Sequence, residues 1–213
     1  MSLKMNRYNI GNSVGILLLV LWLTPLKDVA AADLLAPQVV LKEASTQFKE
    51  SLVDESVSKD FVSVYHNVTV IIEPRVDFER ISKLVLGKLW KKATPEQRVT
   101  FKQEFKVKLI RTYTRAFLEF REWSIRYLPL RMAKEAKKTV VKTEVLQPGV
   151  QPIAVNYRMH LKKGTWLVYD IIIEGVSLVT NYRSSFKGQV KRVGSLDVMI
   201  DKLRKNNLAA LTP

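Results

Sequence analysis

The segment VYDIIIEGVSLVTNYRSSF, residues 168–186, predicts a strand that is followed closely by a helix. A strand with one covered face alternates apolar and polar residues, but residues 168–173 are apolar on both faces apart from Asp170. Gly175 ends the strand, and Ser177 stands where a helix cap is expected. Both faces of this strand therefore need an apolar partner, which is a helix, another protein, a membrane or a ligand.

Two further strands precede this one, and short turns connect them. Residues 139–146 and 153–161 alternate with a period of two, and the third strand covers residues 165–174. The Pro-Gly pair at 148–149 and the Lys-Gly pair at 163–164 supply the turns. Because such short connections join only neighbouring strands of opposite direction, the sequence predicts an antiparallel meander.

Helical periodicity dominates the sequence before and after these strands. Residues 37–72 predict two amphipathic helices, and residues 77–87 predict a short third one. Residues 94–97 form a capping box, and the helix that they start continues at least to Phe120. Two more helices are predicted after the last strand. The fold class is therefore α+β, in one domain, with helices segregated from an antiparallel sheet.

The composition restricts the chemistry of this 213-residue chain. There is no cysteine, which excludes disulfides, thiolate metal sites, a cysteine nucleophile and a lipidated cysteine. The 35 Lys and Arg residues against 20 Asp and Glu residues give a formal net charge of +15. Such a charge indicates nucleic acid, anionic lipid or an acidic partner protein, and charge alone does not choose among them.

The N-terminus resembles a secretory leader. Lys4 and Arg7 precede the apolar run at 14–23, and an Ala-x-Ala site lies at 30–32. The run is about half the length of a spanning helix, which needs about 20 residues. We predict that residues 1–32 are a cleaved signal peptide and that residues 33–213 are the mature domain. An exported protein meets little nucleic acid, so the charge then points to membrane surfaces and partner proteins.

Groups for catalysis or metal binding are sparse. Only His66 and His160 are present, far apart in sequence, and we predict no metal site. Asp170 and Glu174 lie about 13 Å apart if they share one strand, too far for a paired acid and base. The segment 175–179 resembles a nucleophile elbow but ends in valine instead of glycine. These observations favour a carrier or adaptor over an enzyme.

A set of short motifs follows in a fixed order along the chain. They are Asp77-Phe78, Leu86-Gly87, Trp90, Thr94-Pro95-Glu96-Gln97, Phe101, Phe105, Thr112-Tyr113, Trp166, Tyr169-Asp170, Glu174-Gly175-Val176-Ser177, Asn181-Tyr182-Arg183 and Phe186. In these residues the chain resembles the MlaC family, periplasmic phospholipid-binding proteins of Gram-negative bacteria that are also known as toluene-tolerance auxiliary proteins. The resemblance covers essentially the whole predicted mature chain. One departure is the uniformly apolar trio 171–173.

The resemblance implies a fold, a cargo and partners. The implied fold has several helices wrapped against a curved antiparallel sheet of about four strands, with an apolar lipid pocket between them. The implied function is a periplasmic monomer that carries phospholipid between an outer-membrane lipoprotein–porin complex and an inner-membrane ABC transporter with an MCE-domain protein. Such a carrier maintains outer-membrane lipid asymmetry, touches membrane surfaces transiently and needs no cofactor, metal or nucleic acid. The alternatives are a lipid-free periplasmic adaptor and a basic nucleic-acid-binding domain.

We expect the lipid pocket between the long helix, the sheet and the helix after the last strand, because the apolar surface exceeds what one sheet face needs. The expected lining residues are Phe105, Leu109, Tyr113, Phe117, Ile153, Val155, Tyr157, Trp166, Val168, Ile172, Val176, Val179, Tyr182 and Phe186. The alternative is that most of these side chains form an ordinary core.

The third strand allows two parities. We expect Val168 and Ile172 to face the lipid, and the opposite parity comprises Tyr169, Ile171 and Ile173. Asp170 interrupts this apolar strand, and we expect it to be a structural hydrogen-bonding group that forms a buried pair with Arg183.

Overall fold

The structure is a computed structural model, and it describes residues 33–53, 60–118 and 122–211. The predicted signal peptide lies outside the described residues. Residues Asp33–Pro213 form one compact unit. Among the residues that are described, no helix combines the length and the apolar composition that crossing a membrane requires.

Seven α-helices are present in the described part of the chain. They are α1 (Ala36–Ser51), α2 (Phe61–Ile72), α3 (Phe78–Leu86), α4 (Lys88–Lys92), α5 (Pro95–Leu118), α6 (Leu178–Val193) and α7 (Leu196–Leu211). A 3₁₀ turn at Glu73–Arg75 follows α2. Six of these helices agree with the sequence prediction, but α4 was not predicted. The predicted extension of the long helix to Phe120 passes beyond the described residues.

Local capping determines where the helices begin. The Thr94 hydroxyl accepts a hydrogen bond from the Gln97 amide at 3.2 Å, and the Gln97 side chain accepts one from the Thr94 amide at 2.9 Å. This reciprocal pair is the predicted capping box. Ser177 caps α6 by accepting a bond from the Thr180 amide. Gly87 ends α3 with a φ of +54°, a conformation that residues with a Cβ rarely adopt.

The sheet has five strands, all antiparallel to their neighbours, in the order in which they occur along the chain. They are β1 (Ser124–Tyr127), β2 (Lys138–Leu146), β3 (Ile153–Lys162), β4 (Thr165–Ile173) and β5 (Val176–Ser177). The predicted meander is confirmed. The edge strands β1 and β5 were not predicted, because four and two residues are too few to show a period of two.

A β-bulge interrupts the pairing of β3 with β4. Tyr157 is paired with Ile171 and Met159 with Val168, so that Tyr169 is an extra residue on β4. Residues directly opposite each other in an antiparallel pair share a face, and residues two apart on β3 also share one. Val168 and Ile171 therefore lie on the same face although they are three positions apart.

The predicted parity of β4 is wrong for Ile172. This residue is paired with Asn156, whereas Ile173 is paired with Val155 on the face that carries Val168 and Ile171. The prediction assumed an uninterrupted period of two, and the bulge reverses the parity at its position. The face that carries Val168 is therefore continued by Ile171 and Ile173.

The buried residues in the described ranges form three apolar clusters. The first joins α3, α5, α6 and α7, where Phe101, Phe105 and Phe186 pack with ring centroids 5.3–5.4 Å apart. The second packs the side chains of β2, β3 and β4 against α1, and the third joins α1 and α2 near Trp123. Each fully buried aromatic or aliphatic side chain stabilises the fold by about 2 kcal/mol. Between the three clusters the helices and the sheet do not close completely.

Candidate ligand-binding cavity

A cavity lies between the sheet and helices α1, α2, α3, α5 and α6. The empty space within it, including solvent at its mouth, is about 1490 Å³. Its walls are almost wholly apolar. Apolar space of this kind stays unfavourable for water, because the walls supply few hydrogen-bonding groups. The cavity is therefore suited to an apolar ligand.

The structure brings together part of the predicted site on the wall of this cavity. The predicted residues that line it are Phe105, Leu109, Tyr113, Val155, Tyr157, Val168, Val179 and Tyr182. They come from α5, β3, β4 and α6. The central part of α5 and the inner face of the two middle strands are thus opposite walls of one space, as the sequence predicted.

Other predicted residues lie elsewhere. Trp166 and Phe186 are buried in apolar clusters, with 7% and 2% of their surface exposed. Val176 is 57% exposed because it lies on the edge strand β5. Ile153 and Ile172 are also not among the lining residues. The side chain of Phe117 lies outside the described part of the structure.

The sequence prediction missed the wall formed by the N-terminal half. The missed lining residues include Leu41 and Phe48 of α1, Ile71 of α2, Phe78 and Ile81 of α3, and Trp123 and Ile125 beside and within β1. The signal for them was the apolar stripe of each amphipathic helix. Such a stripe shows which side faces inward, but it does not show whether protein or a cavity lies opposite.

Tyrosine hydroxyls provide polar groups on the cavity wall. Burial raises the pKa of Tyr157, and a nearby Tyr127 raises it further. Burial and the adjacent Tyr182 also raise the pKa of Tyr113, while burial raises that of Tyr182. The hydroxyls therefore stay protonated at neutral pH, so each can donate a hydrogen bond without adding charge to an apolar space.

Asp170 connects the sheet to the start of α6. Its carboxylate accepts hydrogen bonds from Arg158 at 3.0 Å, from the Ser177 hydroxyl at 2.7 Å and from the Val179 amide at 3.1 Å. It is 2% exposed, so these donors replace water around the charge. The prediction that Asp170 is a satisfied structural group is confirmed.

The predicted partner of Asp170 is wrong. Arg183 instead donates from its Nε to the Leu84 carbonyl at 2.7 Å, which ties α6 to the end of α3. Arg158 takes the place of Arg183 because it lies directly opposite Asp170 on β3. Opposite charges at paired positions of neighbouring strands meet without any distortion of the backbone.

A second polar network joins α3 to the outer part of the sheet. The Asp77 carboxylate accepts hydrogen bonds from the Arg80 amide at 2.9 Å, from Lys162 at 2.9 Å and from His160 Nε2 at 3.2 Å. The Arg80 guanidinium lies 3.4 Å from His160 Nδ1 and 4.3 Å from the centre of the Tyr169 ring. Because arginine only donates, His160 Nδ1 accepts and its Nε2 carries the hydrogen.

The network shifts the pKa of both its acid and its imidazole. Burial by itself raises the pKa of Asp77, but Lys162, the Arg80 amide and His160 outweigh it and lower the pKa. Burial and the neighbouring Arg80 lower the pKa of His160, against the opposing effect of Asp77. His160 is thus a structural hydrogen-bonding residue. No group of three or more His, Cys, Asp or Glu side chains within the described ranges could hold a metal ion.

The open five-stranded antiparallel sheet, the helices around it and the apolar cavity between them define an α+β domain built to enclose an apolar molecule. The family model for the MlaC protein matches residues 42–205. The chain belongs to the MlaC family, as its ordered motifs indicated.

Two relatives and one solved structure illustrate the resemblance of this chain to known proteins. Toluene tolerance protein ttg2D of Pseudomonas putida is 30% identical over 189 residues, which cover 87% of this chain and 86% of the relative. The intermembrane phospholipid transport system binding protein MlaC of Haemophilus influenzae is 26% identical over 136 residues, 62% of this chain and 63% of the relative. The structure of a phospholipid-binding protein from Ralstonia solanacearum, solved in complex with a phospholipid, superposes on this chain with a TM-score of 0.75 at 30% sequence identity. The match covers 83% of this chain and 99% of the Ralstonia solanacearum chain. These likenesses extend over both the helices and the sheet.

Proposed function

We propose that this protein is a periplasmic phospholipid carrier that moves lipid between the outer membrane and an inner-membrane ABC transporter. The observation that carries the proposal is the large apolar cavity between the sheet and the helices. The similar protein from Ralstonia solanacearum binds a phospholipid, and the relative from Haemophilus influenzae is named as part of an intermembrane phospholipid transport system. Membership of the MlaC family supports the same cargo for this chain.

The energetics of a lipid in water explain why a carrier needs such a cavity. Two acyl chains contain about 30 methylenes, and at about 0.8 kcal/mol each their exposure would cost on the order of 20 kcal/mol. A methylene group has roughly the volume of a water molecule, about 30 Å³, so the two chains need roughly 900 Å³. The empty space of about 1490 Å³, which includes solvent at the mouth of the cavity, exceeds this requirement and has room for the acyl part of one phospholipid.

The cavity itself gives transport no direction. A bilayer is as apolar as the cavity, so the acyl chains gain little free energy by moving from one to the other. Direction then comes from the docking partners, which the family resemblance suggests are an outer-membrane lipoprotein–porin complex and a transporter with an MCE-domain protein. ATP hydrolysis at the transporter can drive net movement and maintain lipid asymmetry.

A basic surface supports transient contact with anionic membranes or acidic partners. Residues 80–95, which include α4, contain no acid, and α6 contains none either. The two segments are adjacent, because Arg183 of α6 bonds to Leu84. The exposed lysines of this surface are Lys83, Lys88, Lys91, Lys92, Lys187 and Lys191. Such a field accelerates encounters with anionic surfaces and weakens with salt.

The proposal includes export and a single-chain carrier. We propose cleavage of residues 1–32, a periplasmic mature domain of residues 33–213, and a monomer without enzymatic activity. Mass spectrometry of the secreted protein tests the new N-terminus, and sedimentation tests the monomer.

Lipid extraction from purified mature protein tests the central claim. We expect phospholipid in about stoichiometric amount with the wild type. Val155→Trp fills the cavity wall and should lower the lipid content, whereas Val176→Trp, at an exposed edge position, should leave it unchanged. A folded wild type that carries no lipid and takes none up from vesicles would contradict the carrier proposal. Such a protein would fit the lipid-free adaptor, and steeply salt-dependent binding to nucleic acid would favour the remaining alternative.

A further inference from the structure

One corner of the cavity differs from the rest of its wall. Tyr113 and Tyr182 lie there side by side, and their interaction contributes to the shifted pKa of each hydroxyl. Lys108 lies just beyond them, with its ammonium 6.0 Å from the centre of the Tyr182 ring. Arg111 is close enough to Tyr182 to act on its pKa. Two hydroxyls of the cavity wall and two cations that lie just outside the lining residues are thus close together at one place.

The two cations have no acidic partner in the described part of the chain. Lys108 makes no hydrogen bond or ion pair there, and the Arg111 guanidinium bonds only to the Asn206 carbonyl at 3.2 Å. The Arg111 Nε is buried without an acceptor. Neither α2, which supplies Tyr65 near Arg111, nor α6, which supplies Tyr182, contains a carboxylate. The nearby acid of α5, Glu104, is already bonded to Arg204 and Asn207.

The pKa values agree with an uncompensated positive site. Burial lowers the pKa of Lys108, and Arg111 lowers it further. Burial also lowers the pKa of Arg111, together with repulsion from Arg115. Two partly buried cations without a counter-charge lower the stability of the folded protein. A bound anion would neutralise them and remove this loss of stability.

Thr114 supplies an independent sign of a ligand. It lies one turn from Ile110 on the cavity wall, it is 2% exposed, and its hydroxyl has no hydrogen-bond partner among the described residues. A buried hydroxyl without a partner costs free energy unless a bound molecule accepts its hydrogen bond. Thr114 is three residues from Arg111, a spacing that places both on neighbouring positions of the helix surface.

We propose that Lys108 and Arg111 bind the phosphate of the lipid, assisted by the hydroxyls of Tyr113 and Tyr182, while Thr114 donates to an ester carbonyl. The inference rests on the proposed carrier function and assigns one end of the same cavity. A phosphodiester offers charged oxygens to both cations, and its acyl chains then extend from this end into the apolar space between α5 and the sheet. Recognition is thus directed at a group that all phospholipids share, so it does not require a particular headgroup.

Two fluorescent lipids with identical acyl chains test this site: a phospholipid, and the diacylglycerol that lacks the phosphate. We expect the wild type to bind the phospholipid at least about tenfold more tightly than the diacylglycerol, which corresponds to about 1.4 kcal/mol. The double variant Lys108→Gln, Arg111→Gln should bring this ratio close to one without weakening diacylglycerol binding. Thr114→Val should weaken both lipids to a similar extent, because both contain the ester.

The controls separate the site from general charge effects and from misfolding. Lys202→Gln, Lys205→Gln removes the same charge from exposed positions of α7, outside the basic surface, and should leave the ratio unchanged. Lys108→Gln alone removes no hydrogen bond to another described residue, so it remains informative if the Arg111 change destabilises the protein. An unchanged ratio in both the Lys108→Gln variant and the folded double variant would overturn the site.

Two further outcomes are distinguishable. If the wild type binds neither lipid, the carrier function fails, whereas equal binding of both lipids overturns only the phosphate site. The last measurement is the Tm of the lipid-free protein with and without millimolar inorganic phosphate. Phosphate could raise the Tm of the lipid-free wild type but not that of the double variant, while both proteins keep the same ratio of phospholipid to diacylglycerol affinity. This result would show a site for free phosphate and overturn the proposal.

Discussion

Asp77 is the position at which a single substitution should reveal how the helices are tied to the sheet. Its carboxylate caps α3 and accepts hydrogen bonds from His160 and Lys162 on β3, while its amide donates to the Val168 carbonyl of β4. Asp77→Ala removes the cap and both cross-links but leaves the backbone bond to Val168. Because Phe78 and Ile81 of α3 line the cavity, the change tests the support of one of its walls.

The expected loss follows from the contacts. Removing an N-cap costs about 1 kcal/mol. The His160 Nε2–H is left buried without an acceptor, which costs about 1–3 kcal/mol. The Lys162 pair adds at most about 1 kcal/mol, because the lysine side chain is 49% exposed and the interaction is screened. The sum is about 2–5 kcal/mol, and at about 2–4 °C per kcal/mol for a domain of this size the middle of that range lowers the Tm by about 10 °C.

The assay is urea unfolding of the mature protein, followed by circular dichroism, with Asp60→Ala as the matched control. Asp60 caps α2 through the amides of Val62 and Ser63, but it is exposed and forms no ion pair within the described residues. The two variants share the loss of a cap and differ in the network. If Asp77→Ala loses no more stability than Asp60→Ala, the cross-links contribute nothing and the reasoning is refuted.

Three further predictions concern the bulge, the Asp170 contacts and pH. Ile171→Trp should lower the co-purified lipid by more than Ile172→Trp, because only Ile171 lines the cavity; equal effects in lipid analysis would contradict the parity set by the bulge. Arg158→Ala should lower the free energy of unfolding in urea by about 1–2 kcal/mol, because the buried Asp170 keeps two of its three donors and Arg158 is 45% exposed. An unchanged free energy of unfolding would show that solvent screening cancels the contribution of the ion pair. The pKa of His160 lies below its ordinary 6.5, so the unfolded chain binds this proton first. The free energy of unfolding should therefore be greatest above about pH 6.5 and should decrease as the pH falls through the pKa of His160 in the folded protein. His160→Gln should reduce this pH dependence when unfolding is measured between about pH 7 and pH 5.

Much of the fold could be predicted from local signals. The capping box at Thr94, the cap at Asp77 and the glycine at 87 fix helix ends through contacts within a few residues. The turns at 148–149 and 163–164 and the period of two between them fixed the meander. The strands β1 and β5 escaped prediction because their short segments form strands only through pairing with β2 and β4.

The candidate site was predictable only in part. The apolar residues of α5, such as Phe105 and Leu109, were assigned to the wall from their helical spacing, and the structure places them there. The same spacing gave no warning that Phe186 packs against Phe101 and Phe105 instead of facing the cavity. Periodicity identifies the inward side of an element, but core and cavity wall are both inward.

The amino-acid sequence by itself determined the α+β class, the order of the six longer helices and of the three longer strands, and the motifs of the MlaC family, because caps, turns and periodicity act between residues close in the chain. Only the tertiary structure decided what depends on distant residues meeting. The bulge at Tyr169 decided that Ile171 and not Ile172 faces the cavity, and strand pairing decided that Asp170 binds Arg158 and not Arg183. The cavity itself is space that five helices and a sheet leave unfilled, and its dimensions follow from how those elements pack in three dimensions.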